Sequence, residues 1–186
     1  VNIMGVTNLF EAARLAHLER VVFASTVGIF GYQDGYGDES INENTEPRAP
    51  KNLYGLMKLL NNGMAERYSK TFGIRIVKVH SAAVIGPGNT AFSRRMIQDP
   101  ALGKPGFANW PSAAPRNIVG VADIAQLYAK IALADEVKYD TYMGTGPSPT
   151  GREIADIVKK HLPNAQITFD ENARVSAWNF DNSRAV

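Results

Sequence analysis

Apolar residues at Ile3, Val6, Leu9, Phe10, Ala13 and Ala16 fall at steps of three and four, which predicts an amphipathic helix over residues 1–18. After Arg20 the pattern changes. Val21-Val22-Phe23-Ala24-Ser25 is a short, mostly apolar run rich in β-branched residues, as in a buried parallel strand, and Thr26 to Gly31 follows as the loop at its C-terminal end. Residues 32–50 hold acidic side chains, glycines, Pro47 and Pro50, and predict a long irregular loop, which in a compact domain is usually functional or mobile. A second helix runs from Lys51 to Phe72, with Gly73 in the C-cap position. The order then repeats: a strand at 74–79, a Gly86-Pro87-Gly88 turn, and a helix around 90–98 stopped near Pro100. Residues 103–115 are expected to be loop or edge. A strand at 117–121 leads into a helix at 122–134, and a strand at 139–143 into a capped helix at 150–161; a last strand follows at 165–169. Strands alternating with helices predict an α/β fold with a parallel sheet and right-handed crossovers.

Composition narrows the classes. A chain of 186 residues, 45% hydrophobic and 20% charged, has the make-up of an ordinary globular protein and can bury a real core. A net charge of +2 and the lack of any basic run give no basis for nucleic-acid binding, and no apolar run approaches the ~18 residues of a membrane span. Cysteine is absent, which excludes disulfides and thiolate metal sites and fits a reducing, cytoplasmic setting. The chain opens on Val1 inside a helical pattern with no cap before it, and Asn182–Val186 has the look of an opening helix. Both ends are expected to be cuts in a longer protein.

Candidate chemistry centres on Tyr54 and Lys58, four residues apart and therefore stacked on one helix face. A phenol with pKa about 10 supplies almost no base at neutral pH. An ammonium about 5 Å away, at an effective dielectric near 20, favours the phenolate by roughly 3 kcal/mol, or about two pKa units. Such a pair can shuttle the proton of an alcohol. It can equally be a surface Tyr–Lys pair, so its neighbours decide.

Those neighbours carry a resemblance. The helix Val1-Asn2-Ile3-Met4-Gly5-Val6-Thr7-Asn8-Leu9, the strand and loop Arg20 to Gly31, Tyr54 with Lys58 behind Glu46-Pro47 and Pro50, Val84-Ile85-Gly86-Pro87-Gly88, Asn117 to Ala125, and Phe180 to Ala185 resemble, in that order, segments of the extended short-chain dehydrogenase/reductase superfamily, in its NAD-dependent epimerase/dehydratase branch. The resemblance implies the C-terminal part of a doubly wound, Rossmann-type parallel sheet with a small substrate-binding lobe. Residues 1–86 and 116–146 would form a partial NAD(P)-binding domain, and 87–115 and 147–186 the lobe. Tyr54 would move the substrate hydroxyl proton, Lys58 would lower its pKa and bond the nicotinamide ribose, and Thr26 would hold the substrate oxygen. Asn2, Ser25, Ala83 and Val84, with Tyr54 and Lys58, would face the cofactor, NAD or NADP; Arg116 would contact a substrate phosphate. The family's helix pair at 1–18 and 51–72 implies a homodimer.

Departures from the family limit the reading. Its Gly-rich phosphate turn and acidic ribose partner belong before Val1, with four strands of the sheet, and would leave the Val21–Ser25 strand with an unpaired apolar edge. No Asp-Glu pair follows Thr26, which disfavours a sugar dehydratase, and Ala83 and His80 stand where nucleotide-sugar epimerases often have Asn and Arg. Three functions therefore stay open. One is an epimerase or dehydrogenase acting on a sugar-like or nucleotide-linked hydroxyl; another is a reductase or dehydrogenase of a small hydroxy or keto compound. The third is a non-catalytic dinucleotide sensor, against which the intact Thr26, Tyr54 and Lys58 weigh. Elsewhere the plainer roles prevail: Asp123 as a cap of the helix at 122–134, Arg94 and Arg95 as a solvated face, the acidic residues of 34–46 as a solvated loop, and His17, His80 and His161 as structural, with no metal-ligand spacing. Phe107 and Trp110 can line a pocket or close the lobe.

Overall fold

The computed structural model describes residues 2–87 and 91–186. At its centre is the strand Arg75–Ser81 (β2), parallel on one side to Arg20–Thr26 (β1) and on the other to Thr141–Gly144 (β6). Alternation along β2 sends its side chains to two different layers. Ile76 packs with Phe10, Phe23, Ala65 and Ile74 beneath the helices Met4–Leu15 (α1) and Leu53–Phe72 (α2), where Phe10 and Phe23 meet edge to face at 5.5 Å. Val77 and Val79 face the other way, against Ile124, Ile131 and Tyr142 beneath the helix Val121–Leu133 (α5). The expected α/β class with parallel strands is therefore the one the chain adopts.

On the α2 side of β2 the positions after Ile76 are polar, and the helix supplies partners at matching spacing. Lys78 Nζ donates to Glu66 Oε1 at 2.6 Å, and His80 Nε2 lies 3.2 Å from Asn62 Nδ2. Helix α2 begins on Asn52, whose side chain accepts from Gly55 N at 3.0 Å, and ends at Gly73, in the left-handed region with φ +73°.

Beyond β2 the strands divide into smaller parallel pairs rather than one continuous sheet. Ala83–Ile85 (β3) pairs with Ile118–Gly120 (β5), and Gly106–Ala108 (β4) with Ile167–Phe169 (β7). Residues 103–115, expected to be loop or edge, thus contribute a strand. The expected helix near 90–98 loses its first residue, with the end of the Gly86–Gly88 turn, to positions outside the described residues. Its remainder is Ala91–Ser93 (α3), a π-helical turn Arg94–Gln98, and Asp99–Ala101 (α4). The helical run stops at Ala101, next to Pro100 as expected, and the proline itself sits in the first turn of α4, where a missing N–H costs little. Met96, Ala108, Trp110, Ala114 and Ile154 form a separate small core here, covered by the helix Gly151–His161 (α6). Helix α6 opens with the full reciprocal cap between Thr150 and Glu153. Asp123 does not cap α5; the cap position is Gly120, and the carboxylate lies in the first turn, where the helix dipole favours it.

Residues 32–50 are also more structured than a free loop. Gly31 and Ile41 exchange backbone hydrogen bonds with Ala177, Asn179 and Asp181, and the Gln33 side chain accepts from both Trp178 N and Asn179 N. Glu43 Oε1 accepts from Met143 N at 2.9 Å on the open edge of β6, and its second oxygen lies 3.4 Å from Arg184 Nε.

Candidate active site

Strand β1 ends at Thr26 in extended backbone, and the Thr26 hydroxyl accepts from Gly28 N at 3.1 Å, closing a short 3₁₀ turn over Val27–Ile29. The first turn of α2 comes down on this corner. A Cβ on Gly55 would stand 2.6 Å from the Gly28 carbonyl oxygen, so glycine is what permits the approach. Gly31, at φ +75° with Ala49 O against its Cβ direction, makes the second tight crossing. The two together bring Tyr54, on α2, to Thr26, on β1.

Thr26, Tyr54, Ala83 and Arg116 open on one cavity of about 300 Å³ at the C-terminal ends of β1 and β2 and the start of β3. Its wall also holds Lys51, Asn52, Ser81, Asn109, Asn117 and Ser176, which sequence patterns did not single out as site residues. Lys58 stands one turn behind Tyr54, with Nζ 5.8 Å from the Tyr54 ring centroid and 4.9 Å from that of Phe23, donating to Ala24 O at 2.7 Å. Ser25 is 4% exposed and its Oγ has no partner among the described residues. Val84 packs toward the core beneath α5, and the Asn2 carbonyl accepts from Asn61 Nδ2 at 2.9 Å. Asn2, Ser25, Lys58 and Val84 thus lie off the cavity wall that Thr26, Tyr54, Ala83 and Arg116 share.

The electrostatics differ from the simple two-residue estimate. Burial pushes the Tyr54 phenol up, and the Thr26 hydroxyl, within hydrogen-bonding reach, pulls it the other way. Burial also pushes the Lys58 ammonium down. The Thr26 hydroxyl favours the phenolate by hydrogen bonding, and the Lys58 ammonium, 5.8 Å from the Tyr54 ring while it donates to the Ala24 carbonyl, adds a positive field that acts in the same direction. Trp110 is buried in the small core, stacked on Phe92, and the Arg116 guanidinium lies over its ring at 5.4 Å; Phe107 is exposed. Among the described residues no group of three His, Asp or Glu side chains is placed to hold a metal ion, and no helix is long and apolar enough to cross a membrane.

A phenol and a hydroxyl at the carboxyl ends of parallel strands, with a lysine one turn behind, is the part of this chain open to comparison. The model of the NAD dependent epimerase/dehydratase family matches residues 1–143. The chain belongs to that family. Among curated relatives, the mitochondrial L-threonine 3-dehydrogenase of Sus scrofa is 27% identical over the whole chain and 52% of its own length, and the uronate dehydrogenase of Pseudomonas syringae pv. tomato is 36% identical over 42% of the chain and 27% of its own length. The chain spans about half the length of the curated relatives that match it throughout. Among solved structures, the holo form of a GalE-like L-threonine dehydrogenase from Cupriavidus necator superposes on 99% of the chain and 63% of its own with a TM-score of 0.82 at 21% identity. The UDP-glucose 4-epimerase of Thermus thermophilus, in complex with NAD, covers all of the chain and 62% of its own at 0.80 and 24%. These two likenesses establish the fold, as a member of the family would have it.

Proposed function

We propose that this chain carries the proton-transfer half of an NAD(P)-dependent dehydrogenase site acting on the hydroxyl of a small, sugar-like or hydroxy-acid substrate. The observation that carries the reading is the convergence of Thr26 and Tyr54 on one cavity with Lys58 a turn behind. The Thr26 hydroxyl holds the substrate oxygen, and Tyr54 accepts its proton as the alcohol becomes a carbonyl. A nicotinamide cofactor, when bound, supplies the hydride acceptor. The residues fit its nicotinamide end: Lys58 has ammonium donors beyond the bond to Ala24 O, and the buried Ser25 Oγ is unpartnered. Ala83 lies on the cavity wall, and Asn2 and Val84, which lie off it, join the cofactor surface on the family resemblance. Residues 1–86 and 116–146 belong to the cofactor domain, and 87–115 and 147–186 to the substrate lobe; the separate core around Met96 and Trp110 supports that division. Arg116 at the cavity wall keeps a second reading in view, epimerisation of a nucleotide-linked sugar, in which its guanidinium would grip a phosphate. The reading includes a homodimer through α1 and α2, where Leu53, Leu56 and Leu60 lie exposed along α2.

The test is Tyr54→Phe in the full-length protein. Removing the phenolic oxygen is expected to lower kcat by about 10²- to 10⁴-fold, with cofactor affinity within about threefold of wild type. Undiminished turnover would end the proposal. Steady accumulation of reduced cofactor separates dehydrogenation from epimerisation, which returns the hydride to product.

A further inference from the structure

Two cations share the cavity without a counter-charge. Lys51 Nζ donates to Ser176 Oγ at 3.0 Å and stands 5.7 Å from the Tyr32 ring centroid, and Arg116 is backed by Trp110. Among the described residues neither forms an ion pair, and no Asp or Glu lines the cavity. Burial and the Arg116 charge push the Lys51 ammonium down, and burial pushes Arg116 in the same direction. The first turn of α2, which also faces the cavity, adds the partial positive charge of a helix N-terminus. Like charges held together in a partly desolvated wall are costly unless an anion joins them. At about 300 Å³ the cavity lies at the small end of the range for ligand sites.

We propose that Lys51 and Arg116 together seat the carboxylate of a small hydroxylated acid, and that Lys51 is the side chain that selects acids over their neutral counterparts. The proposal rests on the dehydrogenase reading above, which places the reacting hydroxyl at Thr26 and Tyr54. The planar guanidinium takes both carboxylate oxygens, and the ammonium, held in place by Ser176, supplies the second charge from the α2 side. A carboxylate anchored on this wall leaves the substrate hydroxyl to reach the Thr26 corner of the same cavity.

The experiment compares acids with their amides on the NAD-loaded full-length protein: L-threonine with L-threoninamide, and D-glucuronate with D-glucuronamide. Binding is read by isothermal titration and turnover by initial rates. At least one acid is expected to bind and react, with its amide weaker by about 10- to 100-fold. Lys51→Met should raise Kd and KM for that acid by about 10- to 100-fold, leave kcat within about threefold, and leave the amide unchanged. Lys51→Arg should restore most of the affinity. The proposal is overturned if acid and amide bind alike, if Lys51→Met weakens both equally, or if UDP-glucose is turned over in preference to every acid. Tyr54→Phe separates the two failures. A fully active Tyr54→Phe sinks the dehydrogenase reading itself, whereas an inactive one beside a charge-indifferent Lys51→Met sinks the carboxylate seat alone.

Discussion

Protonating His80 means placing a charge in a nearly closed site beside Lys78, and the ring resists it. Burial first, and the Lys78 charge second, push its pKa down from an ordinary 6.5 to about 3. The unfolded chain therefore binds a proton that the folded one refuses between those values, so stability rises with pH across the window and is lost as pH falls from about 6.5 toward about 3, at about 1.4 kcal/mol per unit. Urea unfolding at a series of pH values should show this slope in the wild type and a shallower one in His80→Gln; parallel profiles would refute it. At this scale the sequence was informative where chemistry is local and silent where it is not. Thr26, Tyr54 and Lys58 are legible from spacing and resemblance. Lys51, Asn117 and Ser176 are not, because they arrive at the cavity from segments more than fifty residues apart and carry no period of their own.

Between α2 and β2 the pairing of Lys78 with Glu66 and His80 with Asn62 forms a polar seam in an otherwise apolar layer. Lys78 is 7% exposed and Glu66 lies toward solvent, so the two ends are unequal in what they lose. Glu66→Ala strands a nearly buried ammonium and should cost about 1–3 kcal/mol in chemical denaturation. Adding Lys78→Met should recover most of that loss, since an apolar side chain of similar length needs no partner. A double variant no more stable than Glu66→Ala would contradict the seam's role. Elements whose ends are set by their own residues, such as α2 between Asn52 and Gly73 or α6 behind Thr150 and Glu153, were readable in advance. The π-helical turn at Arg94–Gln98 and the pairing of β4 with β7 were not, because both depend on contacts made across the small core.

At the scale of the whole molecule, β1 is paired on one side only among the described residues, and the helices above it keep apolar side chains in solvent. Leu53, Leu56 and Leu60 recur at helical spacing along α2, and Leu53 is 70% exposed. If the proposed homodimer forms through this face, Leu56→Glu with Leu60→Glu should leave a monomer by sedimentation while the circular dichroism stays native-like. A protein that sediments alike before and after the change would exclude this face. Lys51 precedes α2 and Arg116 precedes β5, and neither Leu53, Leu56 nor Leu60 lines the cavity, so loss of the dimer should leave the preference for acids at Lys51 in place.

One consequence follows from the crossing of residues 31–43 with residues 175–184. Ser176 and Ala177 are both cavity wall and rungs of that crossing, and Glu43 is both loop and the cap on the edge of β6. Ligand occupancy and the order of a segment more than a hundred residues away in sequence are therefore one equilibrium, since whatever binds the wall favours the laced form by mass action. The amides of Ala177, Trp178 and Asn179 should then report the cavity's contents, slowing in hydrogen exchange together when it fills.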